Sequence, residues 1–228
     1  TTPMNAATRS TVVTTTTGSP AARARARERY SLPERFFFYP AAFWRHKNHA
    51  ALVRALAILD RQHGLRVPLV LAGGLRHEQP AVARLAAELG VTWVRFLGYV
   101  PDEDVYPLYA LALALVMPTF FGPTNLPNLE AWTLGCPLVT SNLRGLREHV
   151  GDAGLLVDPR SPEALALAML RLATEPTLRE DLAERGRRRV AGWGPPQFAQ
   201  RLSDILSEIK PAHVFHLADR VDDGRVVL

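Results

Sequence analysis

The sequence predicts an α/β protein built on a doubly wound parallel sheet. Short runs that are apolar at every position, such as Phe36-Phe37-Phe38-Tyr39 and Leu113-Ala114-Leu115-Val116-Met117, mark strands covered on both faces. They alternate with longer stretches whose apolar residues recur at helical spacing. Gly and Pro punctuate most of the junctions. A chain of this rhythm buries both faces of a parallel sheet, with right-handed crossovers and ligands beyond the carboxyl ends of the strands.

The elements follow in order. Thr1 to Ser10 is small and polar and is expected to fray. The β-branched run Val12 to Thr17 reads as a strand closed by Gly18-Ser19-Pro20, and Ala21 to Tyr30 reads as a helix. After the strand Phe36–Tyr39, ended by Pro40, His49 to Gln62 places Leu52, Leu56 and Leu59 near helical spacing, and Gly64 stops it. Val67–Ala72 is a strand running into Gly73-Gly74, Glu78–Leu89 a helix, and Val91–Leu97 a strand. Pro101-Asp102-Glu103-Asp104 opens a helix, its acids suiting the first turn. Strands at Leu113–Met117, Pro137–Thr140 and Gly154–Val157 alternate with helices at Pro127–Leu134 and Leu143–Val150. Three helices, Pro162–Ala173, Thr177–Val190 and Pro195–Ile209, complete the regular pattern. Asp222-Asp223-Gly224 reads as the turn of a loose hairpin. Residues 1–33 are thus expected to be a linker or the remnant of a preceding domain, 34–210 the main domain, and 211–228 a tail.

Composition narrows the function classes. With 47% hydrophobic and 21% charged residues, the chain has a globular balance that excludes extensive disorder. The single cysteine, Cys136, excludes a disulfide framework and a multi-cysteine zinc site, and fits a reducing compartment. No apolar run approaches the ~20 residues of a membrane-spanning helix, and no secretory signal is visible, so a cytoplasmic protein is expected. The net charge of +5 raises the question of an anionic partner. The excess gathers at Arg23–Arg29 and Arg185–Arg189, both helical and without aromatics to stack on bases, which argues against nucleic acid. These clusters read as solvated helical faces, or as surfaces weakly attracted to acidic lipid headgroups.

Two segments carry chemistry. Pro118 to Ala131 leaves a buried strand, passes a Gly- and Pro-containing loop, and enters a helix with Pro127 in its first turn. The unpaired amides and positive dipole end of such a helix suit a phosphate. Glu130, about one turn in, is placed to accept two hydrogen bonds from a diol such as ribose. Equally, Glu130 could complement the helix dipole and Asn125 could cap the helix. The second segment, Phe43-Trp44-Arg45-His46-Lys47-Asn48-His49, joins a strand to a helix, where Lys47 can meet a phosphate as a point charge. The alternative is an exposed basic loop capping the helix through Asn48. His46 and His49 lack the third ligand of a metal site, and Gly73-Gly74 reads as a turn.

Together these segments resemble the carboxyl-terminal domain of retaining glycosyltransferases of family four (glycosyl transferases group 1), which have the two-domain fold called GT-B. The family pattern Glu-Gly-Phe-Gly-Leu-Pro-x-x-Glu is met at Leu126-Pro127 and Glu130, with Gly122 in place of the first Glu. The variant Gly-Pro-Thr-Asn-x-Pro-x-x-Glu, found within the family, matches Gly122 to Glu130. Gly98-Tyr99-Val100-Pro101-Asp102-Glu103-Asp104-Val105 resembles the segment around the nucleotide base, and Cys136-Pro137-Leu138-Val139-Thr140-Ser141 the small-Pro-Val-Val strand. Gly145–Glu148 and Gly151–Pro159 follow the family's ending. The resemblance covers residues 36–206.

It implies a Rossmann-like domain, one half of a GT-B fold, with a helical carboxyl-terminal segment. Such a domain binds a nucleotide-diphosphate sugar whose sugar passes, with retention of configuration, to a glycan or lipid-linked acceptor. By the resemblance, Lys47 and Glu130 are the catalytic candidates. Gly73, Val100, Thr124, Asn125, Leu126 and Glu130 are the donor-binding candidates. Lys47 falls on the family's Lys position and Ala42 on its Arg position, with Arg45 or His46 as substitutes. No cofactor beyond the donor and no metal is expected. The implied setting is polysaccharide biosynthesis in the cytoplasm, with peripheral membrane contact. The acceptor-binding amino-terminal domain is missing from the chain, so a truncated enzyme is expected. Two further readings stay open: a non-catalytic nucleotide-sugar-binding module working with a partner chain, and a nucleotide-sugar epimerase of the same fold.

Overall fold

The computed structural model describes residues 19–74, 78–122, 126–192 and 194–208. The expected strand at Val12–Thr17 and the hairpin around Asp222–Gly224 lie outside these residues. The chain divides into two units, Thr8–Ala191 and Thr1–Ala7 with Gly192–Leu228.

The first unit is a six-stranded parallel sheet between helices. Its elements are α1 (Pro20–Arg29), β1 (Phe37–Pro40), a 3₁₀ turn (Arg45–Lys47), α2 (His49–His63), β2 (Leu69–Ala72), α3 (Gln79–Glu88), β3 (Val94–Gly98) and α4 (Asp102–Leu111). They continue as β4 (Ala114–Met117), α5 (Leu126–Thr133), β5 (Leu138–Ser141), α6 (Arg144–Val150), β6 (Leu155–Val157), α7 (Pro162–Thr174) and α8 (Pro176–Val190). Of the second unit, α9 (Pro195–Glu208) is described, with Phe198, Leu202, Ile205 and Leu206 at spacings that set them along one side.

Strand order is β3-β2-β1-β4-β5-β6, all parallel. The order reverses between β1 and β4, the switch point of a Rossmann-like sheet. β2, β4 and β5 are buried at every residue and β1 at all but Pro40, while the edge strand β3 is half-exposed throughout. This is why the central strands read as unbroken apolar runs. The core gathers Phe36, Phe37, Phe38 and Tyr39 with Leu52, Leu56 and Leu59 of α2 and Leu69, Val70 and Leu71 of β2.

Polar devices fix the helices. Ser19 and Ser161 accept from the amides of Ala22 and Ala164 at the starts of α1 and α7. Asp104, fully buried in the first turn of α4, accepts from Arg29 at 2.7 Å and from the Tyr30 hydroxyl at 2.8 Å, tying α1 to α4. Burial, then Asp104, pushes the Tyr30 phenol up to about 12. The second basic cluster is engaged within the fold. Arg185 pairs with Asp152 and Asp181, and Arg187 and Arg188 with Glu184. Arg189 donates to the carbonyls of Glu148 and His149, at the negative dipole end of α6.

Candidate functional site

Because β1 leads toward β2 and β4 toward β5, the loops that follow them diverge and leave a crevice at the carboxyl ends of the strands. Polar contacts hold its two walls in register. The Phe120 amide donates to the His46 carbonyl at 2.8 Å, and Thr119 Oγ1 lies 3.1 Å from the same oxygen. Asn48 takes the left-handed conformation (φ 58°, ψ 39°) and makes no side-chain cap. Its amide instead donates to the Pro118 carbonyl at 2.9 Å and the Pro159 carbonyl at 2.7 Å. The reading of Asn48 as a helix cap is corrected: it joins the ends of β1, β4 and β6.

Lys47 stands on the β1 wall, half-buried. Its carbonyl accepts from the hydroxyl of fully buried Tyr39 at 3.1 Å, and its amide bonds the Trp44 carbonyl. Among the described residues its ammonium has no ion pair. Burial lowers its pKa from the ordinary 10.5. A cation held partly out of water without a counter-charge is stabilised by an incoming anion. Arg45 is exposed, and His46 sets its ring edge-on to Phe121 at 6.3 Å.

Gly73 closes the floor. Its amide donates to the Gly98 carbonyl at 2.7 Å, linking the ends of β2 and β3. A Cβ here would fall on the Ala41 carbonyl and lie 2.8 Å from the Ala42 amide nitrogen, so only glycine admits this approach. Val100 is buried, which leaves its backbone rather than its side chain to face a ligand; neighbouring Tyr99 is exposed.

His49, behind Lys47, stacks on Phe43 at 4.3 Å and tilts against Tyr39 at 4.9 Å. Its Nε2 is buried without a partner. Burial lowers its pKa to about 4, opposed by a hydrogen bond to the Ala41 backbone and assisted by the charge of Lys47. Folding therefore favours neutral His49. Its stabilising contribution is whole above the unfolded value near 6.5 and is lost as pH falls toward 4, a change of about 3 kcal/mol. Denaturant titrations at pH 7 and pH 4 should show this loss in the wild type and a smaller one in His49→Phe. Equal losses would place the acid sensitivity elsewhere.

The opposite wall is α5. Leu126 opens it, exposed, with Pro127 next, so the Leu126 amide is among those without an intrahelical partner. Thr124 and Asn125 lie outside the described residues. Gly122, where the family has Glu, takes φ 149°, a conformation that side-chain-bearing residues rarely adopt. The loop path here suits glycine rather than glutamate.

Glu130 lies on the second turn of α5, and the structure amends its expected freedom to hold two hydroxyls. Its Oε2 already accepts from the Tyr109 hydroxyl at 2.7 Å. Tyr109 is fully buried in α4 and packs edge-on against Phe38 at 5.1 Å. Tyr106, one turn earlier on α4, has its phenol pKa raised by burial first and then by the charge of Glu130. Sequence reasoning missed Tyr109 because its partner lies on another helix. The alternation of two tyrosines three apart on α4 was the available signal.

The structure thus ties the loop that carries Lys47 to the end of β4 through His46 and Asn48, sets Gly73 against the Ala41–Ala42 backbone of that loop, and sets Glu130 against α4. Among the described residues no three His, Cys, Asp or Glu side chains cluster as a metal site would require. No described helix is long and apolar enough to cross a membrane.

Comparison with known proteins agrees with this architecture. The family model of glycosyl transferases group 1 matches residues 22–189. An O-antigen chain mannosyltransferase B of Escherichia coli is 40% identical over 142 residues, 61% of this chain and 37% of that protein. Sucrose-phosphate synthase from Thermosynechococcus elongatus superimposes with a TM-score of 0.69 at 28% identity, over 81% of this chain and 48% of that one. HepE of Anabaena, solved in complex with UDP-glucose, gives a TM-score of 0.72 at 21% identity, over 84% and 54%. This chain spans about half or less of the length of each of these relatives. With a Rossmann-like sheet, a crevice at its switch point and a family match across most of its length, the chain belongs to glycosyl transferases group 1, the carboxyl-terminal domain of a GT-B glycosyltransferase.

Proposed function

We propose that this chain is the donor-binding half of an enzyme that moves a sugar from a nucleotide diphosphate to a glycan or lipid-linked acceptor with retention of configuration. The observation that carries the reading is Lys47, a half-buried cation without an ion pair among the described residues, on a loop hydrogen-bonded to the end of β4. In the reaction the bond from the anomeric carbon to the diphosphate oxygen breaks and one to an acceptor hydroxyl oxygen forms, the hydroxyl's proton passing to the departing diphosphate. Negative charge grows on the departing diphosphate. Lys47 and the amides at the start of α5 oppose that charge, and a fixed charge aimed at the transition state needs no reorganisation. Glu130 holds the ribose and sets the donor's position. Peripheral contact with acidic lipid would fall to Arg23 and Arg25 of α1, since Arg185–Arg189 is engaged internally. The relatives' names support a mannosyl or glucosyl donor class.

Calorimetry tests the ribose role. UDP and GDP are titrated beside their 2′-deoxy and 3′-deoxy forms into the wild type and Glu130→Gln. Gln keeps the shape and one acceptor oxygen but loses the charge. The wild type should prefer the ribonucleotide over at least one deoxy form by about tenfold, and the variant should be nearly indifferent. Equal discrimination by both proteins removes Glu130 from the site and leaves it a dipole partner of α5.

A further inference from the structure

We propose that Tyr109 is a positioning residue for the nucleotide's ribose: its buried hydroxyl holds one oxygen of Glu130 and turns the carboxylate into a directional acceptor for one sugar hydroxyl. The inference rests on the reading of Glu130 given above. It adds an element of the site that lies on neither wall of the crevice.

The geometry carries it. Tyr109 is fully buried, and the edge of Phe38 on β1 fixes its ring plane. From there the hydroxyl reaches Glu130 Oε2 at 2.7 Å, the length of a charge-assisted bond. Burial and the adjacent carboxylate hold the phenol well above its ordinary range, so it is a donor to Glu130 across the working pH range. Glu130 Oε1 has no hydrogen-bond partner among the described residues. A carboxylate free to spin would present either oxygen and would lose side-chain entropy on binding. Clamped at Oε2, it is set before the ligand arrives, which is how a fixed group improves binding. A pair of hydroxyls cannot then be held symmetrically. One of the two deoxynucleotides should lose far more affinity than the other.

The test uses the 228-residue chain, with UDP and GDP as probes. Tyr109→Phe keeps the ring against Phe38 and deletes only the donor. It should weaken the better-bound nucleotide about tenfold, and should even out the losses caused by 2′- and 3′-deoxy substitution. Tyr109→Phe combined with Glu130→Gln should bind no worse than Glu130→Gln alone, because the two residues act as one unit. Additive losses would overturn the proposal, since a packing role for Tyr109 acts regardless of Glu130. Unchanged affinity in Tyr109→Phe would overturn it as well. The wild type supplies a reading that does not depend on folding of the variant. By NMR, the hydroxyl proton of buried Tyr109 should shift on addition of UDP and shift less with the 2′,3′-dideoxy form. An unmoved resonance during saturable binding also refutes the proposal. A wild type that binds neither UDP nor GDP removes the donor-binding reading itself, and the positioning role with it.

Discussion

Lys47→Ala is expected to weaken binding of a nucleoside diphosphate ten- to a hundredfold, while leaving the melting temperature unchanged or slightly raised. The two effects have opposite signs for one reason. In the free protein the ammonium is half-buried without an ion pair among the described residues, so its removal deletes a partly desolvated charge. In the proposed complex the same ammonium would face a diphosphate, and a hydrogen bond to a charged group contributes about 1.5–3 kcal/mol. Within a complete transferase the loss in turnover should exceed the loss in affinity, because the diphosphate gains charge as the sugar departs. Lys47→Arg keeps the charge and should retain part of the affinity. Calorimetry against UDP and GDP, paired with thermal melts, reads both effects. A variant that melts lower and binds unchanged would make Lys47 a structural residue.

Gly73→Ala should cost about 3 kcal/mol of stability, roughly a 10 °C fall in melting temperature for a domain of this size. The atoms that a new methyl would strike are the backbone of Ala41 and Ala42. Backbone leaving the end of a central strand cannot rotate aside as a side chain can. Ala41 is itself tied to Ala72 by a 2.8 Å hydrogen bond, so relief at one point strains the next. Gly74→Ala is the control. A Cβ at Gly74 meets nothing within 4 Å, and its change should stay within about 0.5 kcal/mol. Equal melting of the two variants would show that the loop after β1 yields more easily than its contacts imply.

The order of strands and helices was legible because burial on both faces leaves continuous apolar runs, and because Gly and Pro stand at the junctions. The edges were less legible, for reasons that particular residues show. The run Val67–Ala72 reads as six strand residues, yet β2 begins at Leu69, because Pro68 has no amide to enter the ladder. Val91–Leu97 reads as one strand, but pairing starts at Val94, opposite Leu69, since an edge strand is ordered only where its neighbour offers partners. Lys47 and Glu130 could be singled out from the sequence because each belongs to a contiguous motif. The roles of Asn48 and Tyr109 could not be read there, because they consist of bonds to Pro118, Pro159 and Glu130, far away in the chain. Local spacing carries no record of such partners.

The seam between β1 and β4 has a consequence for how the molecule can be divided. Strands β1, β2 and β3 are contiguous in sequence, as are β4, β5 and β6, and the two blocks meet in the sheet at Phe37 opposite Ala114 and Phe38 opposite Leu115. Lys47 and Gly73 come from the first block, and the start of α5 from the second. Glu130 and Tyr109 likewise sit on either side of the division. A cut between α4 and β4 would therefore yield two fragments that each keep neighbouring strands and neither of which contains the crevice. On the proposed reading, the ability to bind a donor would belong to the joined halves alone.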